Sequence, residues 1–380
     1  MPRQFAQIFM KLFYHTSEQN QSKTNKFIYT EHPAGSYNGT ARKTMEAIEL
    51  EQQMKTGYIG HTRQLYTLRW VGLREGRAKG CEVIEVCTAG GLQIDILPDT
   101  GLDIGQCRYR GVNMSWMSKN GYDSPAVIAP YETEFLHTFP GVLLYTCGLR
   151  SAGPANQDRD EWHPLHGRYH GLAAEQVCAS VENDEIIVKG IIRETALFGH
   201  VLEVRRTIRV PCFGTSITVE DQVSNLTPRD EEIMQIYHCN FGYPLLSEKA
   251  TLILPEGRQT IPRTEFAKAG LGRACEFDPP IDGEEERVFF QKMQNEFWAT
   301  LRNPELSVEM TISWSGDTLP ILSQWSSMAS GDYVLGLEPT NCYIMGRSAE
   351  RKNGTLPALK AFETITNTVK FDFVEEKQNG

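Results

Sequence analysis

From about residue 65 onward the chain alternates apolar and polar residues with a period of two, and this pattern restricts its fold more than any other feature. Leu92, Ile94 and Ile96 alternate with Gln93 and Asp95. Leu202, Val204, Ile208 and Val210 alternate with Glu203, Arg205 and Arg209, and Ile217, Val219 and Val223 with Thr218 and Glu220. Successive side chains of a strand point to opposite faces, so these runs predict half-buried antiparallel strands. Turn-forming segments such as Pro98-Asp99-Thr100-Gly101 and Pro211-Cys212-Phe213-Gly214 separate them. Helical periodicity hardly returns after residue 60. No βαβ alternation, G-x-G-x-x-G or P-loop occurs, which argues against a nucleotide-binding sheet. The expectation is all-β: one large antiparallel β-sandwich over residues 57–380, preceded by a helical and linker extension over residues 1–56.

Within that extension, Phe5, Ile8, Phe9, Leu12 and Phe13 are spaced as on one helix face, and residues 41–56 form a second helix candidate. The first segment lacks the uninterrupted apolar region and small-residue cleavage site of a secretory signal. It reads as a helix docked on the body or on a second subunit, which makes a homodimer an open expectation. The 38 basic and 48 acidic residues give a net charge of -10, which repels phosphate backbones and anionic lipid. Nucleic acid and membrane surfaces are therefore poor partners, and no run of 18 apolar residues exists to span a bilayer. Nine cysteines at irregular spacing, with no C-x-x-C, suit reduced thiols in a cytoplasmic protein.

Three segments interrupt the strand pattern with chemically useful side chains. Residues 159–172 carry His163, His166 and His170 beside Arg168. Their H-x2-H-x3-H spacing does not place them on one face of a strand, so no metal site is expected. Residues 234–246 set His238 and Asn240 in an apolar, aromatic run. Aromatic faces and a planar amide suit a sugar, whose ring has apolar faces and adjacent hydroxyls. In residues 332–347, Glu338 ends an apolar run, where burial raises a carboxyl toward the range of a general base.

Leu165-His166-Gly167-Arg168, Tyr237-His238-Cys239-Asn240-Phe241-Gly242 and Gly336-Leu337-Glu338-Pro339 resemble, in the same order, the three active-site segments of the aldose 1-epimerase (galactose mutarotase-like) superfamily. The run Phe139–Leu149 and the later Leu337-Glu338-Pro339-Thr340-Asn341 resemble an aldose 1-epimerase-like branch most closely. The resemblance covers about residues 57–372 and implies the supersandwich fold of that superfamily. Two departures stand out: Arg168 replaces the second glycine of the Leu-His-Gly-Gly motif, and Thr100 stands where the branch often has arginine.

The resemblance implies an isomerase of carbohydrate metabolism that interconverts sugar anomers without a cofactor. Glu338 would take the C1 hydroxyl proton, His238 would protonate the ring oxygen, and His166 would stabilise developing charge. Arg168, Asn240, Arg150, Asp103, Asn341 and Trp325 are the expected substrate contacts. The two arginines leave an acidic as well as a neutral monosaccharide open. Another sugar isomerase, epimerase or lyase on the same fold, or a non-catalytic sugar-binding module, are the alternatives.

Overall fold

A computed structural model of the chain describes residues 55–375 apart from 125, 127 and 129. The expected helices at 3–14 and 41–56 lie outside the described residues, except that residues 55 and 56 fall in a turn. The rest is dominated by two antiparallel sheets, one of 11 strands and one of eight. Along the larger sheet the neighbouring central strands are Asp103–Tyr109, Leu144–Leu149, Met234–Phe241, Asp332–Thr340 and Ile321–Ala329. The smaller sheet centres on Val201–Pro211, Ser216–Asn225 and Thr364–Glu375. Among the described residues, helix is confined to short pieces such as Phe135–Thr138, Glu265–Ala269 and Arg347–Asn353. The all-β expectation holds.

The period-two runs fold as their pattern requires. In Leu92–Leu97, Leu92, Ile94 and Ile96 are buried, Gln93 is exposed and Asp95 is half-buried. Ile84, Ile96 and Leu337 from the larger sheet meet Val188, Val204 and Phe371 from the smaller in one apolar core. The larger sheet carries a second apolar cluster on its other face, where Tyr145, Cys147, Met234 and Ile236 lie under Phe135, Phe139 and Val142. Met234–Phe241 is consequently buried at every residue, which explains its loss of alternation. All nine cysteines are unpaired, and Cys147 and Cys239 are packing residues of the two clusters.

A charged cluster interrupts the core between the sheets. Arg206 and Asp221 fall on the inward face of their strands, in phase with Val204 and Val219, and sit opposite each other in register. The Arg206 guanidinium donates twice to Asp221, at 2.8 and 2.7 Å, and also to Asp103, to Thr146 Oγ1 at 2.9 Å and to the Gly101 carbonyl at 3.1 Å. Tyr237 donates its hydroxyl to Asp221 at 2.8 Å, Gln235 donates to Tyr237, and Asn367 donates to Gln235. The network therefore crosses from one sheet to the other.

Asp103, expected at the sugar, belongs to this network. It is fully buried, receives the Thr146 amide at 2.7 Å, and lies on the inward side of its sheet. Desolvation lifts its pKa to about 6 against the pull of Arg206. Removing one partner of such a cluster strands the others without solvent. Arg206→Ala is expected to destabilise the fold by about 3–5 kcal/mol, read as a lower urea midpoint at pH 7.

Candidate active site

The register of the larger sheet assembles the site on its outer face. Tyr145 lies opposite His238, and Ser323 lies opposite Glu338. The pairings Ile236↔Thr340 and Cys239↔Leu337 bring His238 opposite Glu338. His238 Nε2 is 3.3 Å from Glu338 Oε1, and both side chains are almost wholly buried. Gly336 precedes Glu338 on the same face. A Cβ there would lie 2.6 Å from Glu338 Oε1 and 3.0 Å from Trp325 Cε3, so only glycine leaves room for both.

Aromatic rings wall this pair. Ring centroids of Phe139 and Trp325 lie 5.1 and 5.4 Å from that of His238, and Trp116 meets Trp325 edge-on at 6.0 Å. His166 stands 5.8 Å from His238, backed by Phe135 at 4.9 Å. It has a φ of 59° and is held by backbone bonds, its amide donating to Gly153 and its carbonyl accepting from Gly148. Together these residues line a cleft of about 820 Å³, within the range of small-molecule sites.

Burial sets the charge of the pair. Desolvation pushes the Glu338 carboxyl up to about 8, although Ser323 and Arg263 pull it down. Desolvation lowers His238 to about 4, and the Asn240 side chain works against that drop. His166 is held well below its ordinary value by burial and by His238, His170 and Arg263. Between these limits the Glu338–His238 pair holds one proton.

The structure thus brings Glu338, His238, His166 and Trp325 together in one cleft. The other expected contacts are engaged elsewhere. Asn240 is buried on the same face as His238 but under the Gly141–Val142 segment, its amide donating to the carbonyls of Gly141, Val142 and His238. Asn341 clamps the start of the His238 strand, accepting from Gln235 N at 2.9 Å and donating to the Ile233 carbonyl. Arg150 is tied to Glu231 and Glu161, and Arg168 donates to the Trp162 carbonyl beside Glu161; neither lines the cleft. The histidines of the H-x2-H-x3-H run face different surroundings: His163 lies beside Glu161, His166 faces the cleft, and His170 stacks on Tyr145.

Other cleft residues were not foreseen. Arg263 lines the cleft and pairs with Glu286, whose other oxygen accepts from Trp325 Nε1 at 2.7 Å. At the rim, Lys119 pairs with Asp332 at 2.8 Å. Trp116 arrives from a loop and carries no local pattern that marks it, while Phe139 heads the Phe139–Leu149 run, which carries the family resemblance but does not mark a site residue. Ser323 is readable only from strand register.

Two sheets in this order, with the cleft on the outer face of the larger, define a galactose mutarotase-like sandwich. The chain belongs to the DUF4432 family, described as a domain of unknown function, whose profile matches residues 78–373. A candidate aldose 1-epimerase from Klebsiella pneumoniae superposes with a TM-score of 0.78 at 22% identity, over 83% of this chain and 86% of its own. A galactose 1-epimerase from Lactobacillus acidophilus gives 0.57 at 14% identity, over 82% and 99%. A galactose mutarotase-like protein from Clostridium acetobutylicum gives 0.57 at 13%, over 81% and 99%. Identities at this level establish a shared fold. No curated protein matches the sequence significantly.

The raised pKa of Glu338 has a consequence for stability. The folded protein keeps this proton to about pH 8, whereas the ordinary value is 4.5. Across that window the folded state holds a proton that the unfolded chain has released, so stability falls as pH rises. Glu338→Gln removes this penalty. Its urea midpoint, relative to wild type, is expected to rise between pH 5 and pH 8 and to level off above.

Proposed function

We propose that this protein is an aldose 1-epimerase-like isomerase that interconverts monosaccharide anomers by acid–base ring opening. The observation that carries this reading is the buried Glu338–His238 pair at the base of an aromatic-walled cleft. The hemiacetal O–C–O unit has a hydroxyl to donate at one end and a ring oxygen to accept at the other. Glu338 takes the proton of the C1 hydroxyl while His238 gives its proton to the ring oxygen. The C1–ring-oxygen bond breaks, and the aldehyde rotates about C1–C2 and recloses with either face attacked. The reactive form is the carboxylate–imidazolium isomer of a resting pair whose proton sits on Glu338, and the step ends with carboxylic acid and imidazole, one proton throughout.

Both forms are isomers of the one-proton state that burial favours, so no proton must be exchanged with bulk water during turnover. His166, neutral because of its burial, is placed to stabilise charge as the ring opens. Trp325 and Trp116 offer faces and edges for the apolar side of a sugar ring.

An NMR anomer-exchange screen over neutral and acidic monosaccharides tests this reading. Glu338→Gln and His238→Asn are each expected to lower exchange of the accepted sugar by at least about 10²-fold with the fold intact. Wild-type exchange in either variant overturns it. Deuterium incorporation at carbon would instead assign an isomerase or lyase acting on a C–H bond. The pH profile of kcat/KM is expected to be a bell, falling below about 4 as the pair gains a second proton and above about 8 as it loses its only one.

A further inference from the structure

The strand Leu144–Leu149 is paired along its full length on one side only. Toward Met234–Phe241 it keeps register from Leu144↔Cys239 to Leu149↔Met234, but toward Asp103–Tyr109 it pairs at Leu144 alone. Side chains and a loop satisfy the rest of that edge. Thr146 N–H goes to Asp103, Gly148 N–H goes to the His166 carbonyl, and Leu149 N–H goes to Glu194 Oε2 at 2.7 Å. The Gly148 carbonyl in turn accepts from Arg168 N–H, so Gly148 and Gly167 form a bridge around His166. A Cβ on Gly167 would lie 2.3 Å from the Gly148 oxygen, which shows how closely the two segments meet.

Glu194 comes from the smaller sheet, is 3% exposed and has an Oε1 without a hydrogen-bond partner. We infer that Glu194 is a positioning residue for His166: it pins the end of the strand against which the His166 loop is bonded. This rests on His166 being a wall of the proposed active site. The mechanism makes no other use of so buried a carboxylate, and leaving it ionised among apolar groups is unfavourable unless it holds donors. The charged and titratable groups facing it are His200, whose Nε2 is 4.0 Å from Oε1, and Arg150 and Arg168, with Glu161 beyond them. Desolvation lifts Glu194 to about 7, and the backbone amides of Leu149 and Arg150 favour its ionised form. Ionisation of Glu194 therefore tightens the clamp within the physiological range.

The test is an NMR titration of full-length protein carrying Glu338→Gln, with labelled leucine and histidine. That background removes the titration of Glu338 from the cleft, and it needs no substrate, so its outcome is independent of whether the enzyme anomerises sugars. The Leu149 amide and the His166 ring signals are expected to share a step near pH 7, and adding Glu194→Gln is expected to abolish both. Absence of the step, a step in Leu149 without one in His166, or its persistence with Glu194→Gln overturns the assignment. In the otherwise native enzyme, Glu194→Gln is expected to lower kcat about tenfold with KM within about threefold. An unchanged kcat in an enzyme that does exchange anomers overturns it as well.

Discussion

The Arg206 guanidinium between the sheets is the interaction on which the rest of the molecule depends. An arginine with no solvent is tolerable only when its donors are taken, and here Asp221, Asp103, Thr146 and a backbone carbonyl take them. Each partner leads to a different element. Asp221 holds Tyr237 and thereby the strand of His238. Asp103 holds Thr146 and thereby the strand that supports the His166 loop. Apolar surfaces can slide past one another at little loss, whereas a bidentate ion pair cannot. The network therefore fixes the offset between the strands whose far faces build the cleft.

The two faces of the larger sheet solve opposite electrostatic problems with adjacent residues. Tyr237 points inward to a satisfied network, and His238 points outward to a pair with one proton between two bases. The aromatic walls that could stack on a sugar are also the groups that strip water from Glu338. The aromatic wall and the raised carboxyl therefore arise from the same packing. Loosening Phe139 or Trp325 alters both together, because neither ring serves only one purpose.

Much of this was legible in the chain. Strand alternation identified the fold class, and the three short motifs brought Glu338, His238 and His166 forward. Arg206 and Asp221 were also readable in principle. Each sits where period two demands an apolar residue, and two such opposite charges on consecutive strands predict a buried pair. Asn240 shares the outer face with His238 but is covered by the Gly141–Val142 segment, and Asn341 lies past its strand end, bonded to the backbone of the neighbouring strand. Asp103 was expected at the sugar because polarity near a motif says nothing about which face of a strand a side chain takes. A one-residue change of face separates the cleft from the core. Trp116, Arg263 and Glu286 were missed because they reach the cleft from distant loops, and loop paths leave no periodic trace.

The arginines carry the last step. Arg150 and Arg168 lie beside active-site motifs in the chain, which made an acidic sugar an open expectation, yet both are tied to carboxylates or carbonyls away from the cleft. The cations that do line the cleft, Arg263 and Lys119, face Glu286 and Asp332. An acidic substrate would have to displace Glu286 from Arg263, and Glu286 is also held by the Trp325 indole. Displacement would move the ring that walls His238. A neutral sugar demands none of this, because its hydroxyls can donate to Glu286 and accept from Arg263 without separating them. On the proposed reading, the charge balance of the cleft suits a neutral aldose better than an acidic one.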